Sequence, residues 1–97
     1  MEKLSGKQAR FLRGLGHHLK PCVMLGKEGL TESLVASVEE ALEIHELIKI
    51  KIQEGCLLDR KDVAETLSQR MGAQVAQVLG RTILLYRRGI DPKIKLP

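Results

Sequence analysis

The stretch Ile48-Lys49-Ile50-Lys51-Ile52 alternates apolar and charged side chains without a break. A period of two is that of a β-strand, so the isoleucines share one face and the lysines the other. A sheet containing this strand has one covered and one wet face. Upstream, residues 22–25 (Cys22-Val23-Met24-Leu25) form a short apolar run that suits a buried strand. Downstream, residues 75–79 and 82–87 read as two more strands separated by Gly80-Arg81, the spacing of a tight hairpin with Gly80 at positive φ.

Helical patterns fill the intervals. Residues 5–18 read as a helix opened by a capping-box pair, Ser5 and Gln8, with Leu4 just outside to pack back on the first turns. Leu4, Phe11, Leu12, Leu15 and Leu19 fall on one face and are expected in the core. Lys3, Lys7, Arg10, Arg13 and His17 form a basic ridge opposite. Pro21 prevents this helix from continuing past Lys20. A second helix runs from Thr31, a good N-cap, to about residue 46. Leu34, Val35, Val38, Leu42 and His45 form its inward stripe, and Glu39, Glu40, Glu43 and Glu46 its acidic outer side. Residues 54–58 read as a loop. Asp59 caps a third helix with Val63, Ala64, Leu67 and Met71 inward and Gly72 at its exit. The tail after Arg88, residues 89–97, is expected to be loosely held.

The order is α-β-α-β-α-β-β. Strands separated by helices imply crossovers, and right-handed crossovers tend to place helices on a common face. The expected fold is an α/β two-layer domain with a four-stranded mixed sheet, spanning residues 1–97 as one unit. Its 97 residues leave no room for a second core.

Composition narrows the function. Net charge is +4, which favours a polyanionic partner. Residues 1–30 carry net +4, residues 31–66 net −5 and residues 67–97 net +5, so folding can bring two basic ends together and leave an acidic middle elsewhere. No run approaches the ~20 apolar residues of a membrane span. Met1 to Gln8 is polar and lacks the apolar core of an export signal, so a cytoplasmic location is expected. Cys22 and Cys56 are too few for a disulfide framework and lack zinc-site spacing. They read as reduced thiols, with a single bridge between them as the alternative.

Catalysis finds no constellation. His17 and His18 point about 100° apart on a helix and do not readily share a metal. His45 lies on an apolar stripe, the place of a core histidine, and Cys22 is expected to be buried in a strand. Asp59 and Asp62 read as helix-start residues. No serine sits in a nucleophile elbow. Neither an enzyme nor a cofactor or metal is expected.

One segment does suggest a site: Leu25-Gly26-Lys27-Glu28-Gly29-Leu30-Thr31. A strand ends, Gly26 and Gly29 bracket the exposed Lys27 and Glu28, and a helix begins. Glycine lets backbone approach another chain closely, and a helix start favours an anion. A G-x-x-G loop of this kind clamps nucleotide backbone in KH domains. A plain β-to-α turn explains the same pattern, and Glu28 nearly cancels the charge of Lys27.

Five segments together resemble the YhbY family, stand-alone bacterial CRM (chloroplast RNA splicing and ribosome maturation) domains. They are Leu15-Gly16-His17; Leu19-Lys20-Pro21; the glycine segment; His45-Glu46-Leu47-Ile48-Lys49-Ile50-Lys51; and Gly80-Arg81-Thr82 with Leu85-Tyr86-Arg87. The likeness covers nearly the whole chain in order. It implies RNA binding through the glycine loop (Gly26, Lys27, Glu28, Gly29) and nearby basic surface. It further implies association with rRNA in large-subunit precursors, a role in ribosome assembly, and a fold similar to the C-terminal domain of translation initiation factor 3. Glu28 departs from what phosphate binding favours.

Further candidates are Lys20 ahead of the first strand, Lys7, Arg10, Arg13 and His17 on the helical ridge, and Arg81 on the hairpin turn. Lys49 and Lys51 are weaker ones, since they serve equally to keep an open sheet face soluble. With Phe11 expected in the core and Tyr86 half-buried, no aromatic platform remains, so RNA is expected to be held by backbone and shape. The alternative is a protein-interaction module docking on a ribosomal protein or assembly factor through the acidic second helix or the wet sheet face.

Overall fold

Residues 47–52 form an inner strand of a four-stranded sheet. A computed structural model describes residues 3–97; Met1 and Glu2, which open the polar start, lie outside the described residues. The elements are α1 (Gly6–Gly16), β1 (Val23–Leu25), α2 (Glu32–His45), β2 (Leu47–Ile52), α3 (Arg60–Met71), β3 (Gln74–Leu79) and β4 (Thr82–Tyr86). The sheet order is β1-β2-β4-β3. β1 runs parallel to β2, and β4 is antiparallel to both β2 and β3. Element order and the mixed sheet are those the sequence implies.

The helix starts obey their signals. Ser5 and Gln8 form a reciprocal capping box on α1, the Thr31 side chain accepts from the Leu34 amide, and Asp59 accepts from the amides of Lys61 and Asp62. Gly72 ends α3 in the left-handed conformation, and Gly80 turns the β3–β4 hairpin at φ 57°.

The layering differs from expectation. Ile48, Ile50 and Ile52 join Val23, Leu25, Ile83 and Leu85 beneath Val35, Val38 and Leu42 of α2 and Val63 and Leu67 of α3. The other face is not simply wet. Leu47, Ala76, Leu84 and Tyr86 cluster there with Leu12 of α1, so helices cover both sides of the sheet and the two-layer reading is corrected. The signal lay in β4. Ile83-Leu84-Leu85-Tyr86 is an unbroken apolar run, all four residues are buried, and such a run marks a strand covered on both faces.

α1 meets the sheet through Leu12 and Gly16 rather than along its whole apolar stripe. A Cβ on Gly16 would lie 2.6 Å from Leu84 Cδ2, so the absence of a side chain sets how closely the helix approaches. This rotation leaves Phe11 and Leu15 each 40% exposed and Leu19 37% exposed. Phe11, expected in the core, is therefore a surface ring, whereas Tyr86, expected to be half-buried, is 4% exposed. Gly16→Val overpacks this contact and is expected to cost about 1–3 kcal/mol in urea unfolding. Leu84→Ala in the same chain should recover part of that cost; strictly additive losses would remove the contact from the account.

The end of α2 departs furthest from the sequence reading. Glu46, placed there on the acidic outer side, is 5% exposed and turns the chain at φ 60°. Its Oε2 accepts from the Gly89 amide at 2.7 Å, and its Oε1 accepts from the amides of Lys93 and Ile94 at 2.9 and 3.1 Å. Ile94 and Leu96 pack on the Leu12 cluster. The segment expected to be loosely held is thus tied to a buried carboxylate. His45, expected in the core, is exposed because the helix stops there and the chain turns away.

Candidate nucleic-acid interface

β1 ends at Leu25, whose carbonyl accepts from the Gln53 amide at 2.8 Å. The chain then turns at once. The Gly29 amide donates to the Gly26 carbonyl at 3.0 Å, closing a four-residue turn with Lys27 and Glu28 exposed at its tip. Gly29 has φ 73°, a conformation that L side chains resist. Thr31 follows and caps α2, so the turn leads directly into a helix N-terminus.

The turn lies against the β2–α3 connection, residues 53–58. Cβ atoms on Gly26 and Gly29 would lie 3.1 Å from Gln53 Oε1 and 3.2 Å from Leu58 Cδ1, and one on Gly55 would lie 3.4 Å from Lys27 Cβ. The hairpin closes the same end of the sheet. The Ile52 amide donates to the Arg81 carbonyl at 2.7 Å, and Arg60 Nη1 donates to the Gly80 carbonyl at 2.8 Å. Three loops therefore meet here, bringing Lys27, Arg60 and Arg81 to one end. Sequence reasoning missed Arg60. Its signal was a cation in the first turn of a helix, where an acid is favoured.

The other candidates are placed apart from this end. α1 runs down the second face of the sheet. Leu4 and Gln8 lie near Tyr86, and Gly16 meets Leu84 nearer the hairpin. Lys7, Arg10 and His17 are exposed and Arg13 is half-buried. Lys20 borders a shallow depression with Leu15, Cys22, His45 and Lys49. The two basic ends of the sequence do meet, with Lys3, Arg88 and Lys95 around one depression, but at the end of the sheet where β4 finishes. The glycine turn lies where β4 begins.

Charge is nevertheless divided by face. From Lys3 to Lys27 the sequence has no acidic residue, so α1 and β1 contribute only cations. Glu39, Glu40, Glu43 and Asp62 belong to α2 and α3, which pack on the opposite side of the sheet, while Glu65 of α3 lines a depression with Lys3 and Leu4. Among the described residues the side-chain ion pairs are Arg87–Glu39 at 2.7 Å and Arg70–Glu32 at 3.7 Å, and both engage α2. No candidate cation takes part in either.

Cys22 precedes β1 and is exposed, contrary to its expected burial, and Cys56 is buried in the core; both are free thiols. Partial desolvation pushes the Cys22 thiol pKa up despite bonds from the backbone, which works against a nucleophilic thiolate. Among the described residues no group of three His, Cys, Asp or Glu is placed to hold a metal ion, and no helix is long and apolar enough to cross a membrane.

A mixed sheet with helices on both faces, ending in an exposed glycine turn beside two further loops, defines a small α/β module with a cationic side. Residues 4–87 match the CRS1/YhbY (CRM) domain model. The chain is 43% identical over 95 residues to the probable RNA-binding protein YqeI of Bacillus subtilis, covering 97% of this chain and 99% of that one. It is 42% identical over 97 residues to an RNA-binding protein of Haemophilus influenzae, covering 100% and 98% of the two. Its fold superposes on the solution structure of SAV1595 from Staphylococcus aureus with a TM-score of 0.82 and 38% identity, over 97% of this chain and 99% of that one. The chain belongs to the CRS1/YhbY (CRM) domain family.

Proposed function

We propose that this protein is an RNA-binding factor acting in assembly of the large ribosomal subunit, with phosphate contacts from the glycine turn and the adjacent basic surface. The observation that carries the reading is the exposed turn at residues 26–29, which presents Lys27 at the end of the sheet that also carries Arg60 and Arg81. The CRM family and the names of its relatives support RNA as the partner. The ribosomal assignment, with rRNA in large-subunit precursors as target and the cytoplasm as location, follows the resemblance to the YhbY family. Lys7, Arg10, Arg13, His17 and Lys20 extend the contact along the face that carries α1. The proposal requires no cofactor and no catalytic step.

A salt titration tests it. Affinity for structured rRNA should fall with ionic strength, with a log–log slope of about −0.7 for each single-strand phosphate neutralised. Replacing Lys20 and Lys27 together by Gln should weaken binding several-fold and reduce that slope by about 1.4. Glu28→Lys should tighten binding. Unchanged affinity in the double variant at unchanged thermal stability contradicts the loop reading. The acidic side of α2, with Glu39, Glu40 and Glu43, favours the second reading, docking on a ribosomal protein or assembly factor. Affinity for such a partner that survives RNase and high salt selects it.

A further inference from the structure

The sheet face that carries α1 is covered only in part. Strand register places Met24 beside Lys51, Lys51 beside Thr82, and Thr82 beside Leu79. These four side chains lie in one row across all four strands, on the same face as Leu84. α1 reaches that face with its last residue, Gly16, against Leu84, one step short of the row. The row is therefore open. Met24 is 49% exposed, Leu79 is 64% exposed, Lys51 is exposed and Thr82 is half-buried. Lys49, half-buried on the same face, stands between the row and the helix.

From this arrangement we infer that the uncovered row is a track for a single-stranded RNA segment, running across the sheet between α1 and the glycine turn. The inference rests on the reading of the protein as an RNA-binding factor and adds the form of RNA and the residues that meet it. Lys51 within the row and Lys49 beside it give the track two cations, which complement a phosphate chain. It runs alongside the three loops, because β1 and β2 finish there and β4 begins. Its length, three strand spacings, is about 14 Å, the span of a short stretch of extended strand laid across the sheet. Apolar surface at both ends is the second point. Met24 and Leu79 would meet only phosphates if the ligand were a duplex, whereas an unpaired strand presents base faces to them. Lys49 and Lys51 hold the intervening phosphates. Keeping a sheet face soluble accounts for the lysines alone; it does not account for a large apolar side chain at each end of their row.

The test uses the full chain with a fluorescein-labelled oligouridylate and a fully paired RNA duplex of equal length, followed by anisotropy. The wild type should favour the single strand. Lys49→Gln with Lys51→Gln should weaken oligouridylate binding about tenfold and reduce the salt slope by about 1.4, since two phosphate contacts are lost. Met24→Ser should weaken it several-fold at unchanged slope, because no charge is removed. Thermal melts establish that each variant is folded. If the lysine variant binds like the wild type while Lys27→Gln is impaired, the glycine-turn reading stands, the track is overturned and the row is left to a protein partner. If oligouridylate does not bind, or duplex and single strand bind alike and Met24→Ser has no effect, the single-stranded assignment is overturned. If neither lysine site affects any RNA, the RNA reading itself falls.

Discussion

Replacing Glu46 by alanine is expected to destabilise the fold by about 3 kcal/mol or more, the scale of losing several hydrogen bonds to a buried charge and leaving their donors unpaired. For a chain of this size that corresponds to a fall in Tm of more than about 12 °C, readable by calorimetry. The backbone amides of Gly89, Lys93 and Ile94 would lose their acceptor, and the seat of Ile94 and Leu96 against the Leu12 cluster would loosen. Glu46→Gly separates two contributions. Glycine loses the carboxylate as alanine does, but it relieves the positive-φ backbone, so it should be about 1 kcal/mol less damaging. Equal losses would mean that the φ of 60° carries no strain.

The same carboxylate gives a pH dependence with a defined sign. Burial alone would raise its pKa; the three amides and the charge of Lys93 together outweigh burial and hold it below the ordinary glutamate value. A folded-state pKa below the unfolded one contributes stability that is present above the unfolded value, about 4.3, and is lost as pH falls toward the folded value. Acid unfolding of the wild type should show this loss below about pH 4.3, and the alanine variant should lack that part of it.

The second large effect is expected on binding. Reversing both Lys27 and Arg81 to Glu places two negative charges where the three loops meet. Affinity for structured rRNA should fall by at least about tenfold at low salt, and the salt slope should shrink by more than the neutral Lys27→Gln change produces. Both side chains are exposed at the tips of turns, so the melting temperature should barely move. A comparable loss on reversing Lys3 and Lys95 instead would place the RNA at the opposite end of the sheet.

Most of the fold was legible from local signals. The Ser5–Gln8 box, Thr31, Asp59, Gly72 and Gly80 each mark a boundary by backbone chemistry that needs no tertiary context. The alternation at residues 48–52 named the correct inner face of β2. The errors on the helices share one cause, which is that a helical wheel gives a stripe but not what the stripe meets. For α1 the deciding residue was Gly16, which carries no hydrophobic signal, and its fit against Leu84 turned Phe11 and Leu15 outward. Glu46 was misplaced because a charged residue at helical spacing reads as solvent-facing. Its partners are amides of residues 89, 93 and 94, and backbone amides leave no trace in side-chain pattern. Of the candidate interface, the glycine turn and Arg81 were legible as turn residues. Their meeting with Arg60 depends on strand order, which the sequence does not state.

The most direct test of the account is an NMR titration of the isotope-labelled protein with structured rRNA, following backbone amides. Perturbations should concentrate at residues 26–29, 53–58 and 80–81, where the three loops meet. Shifts confined to the outer side of α2, with those loops unmoved, would contradict it.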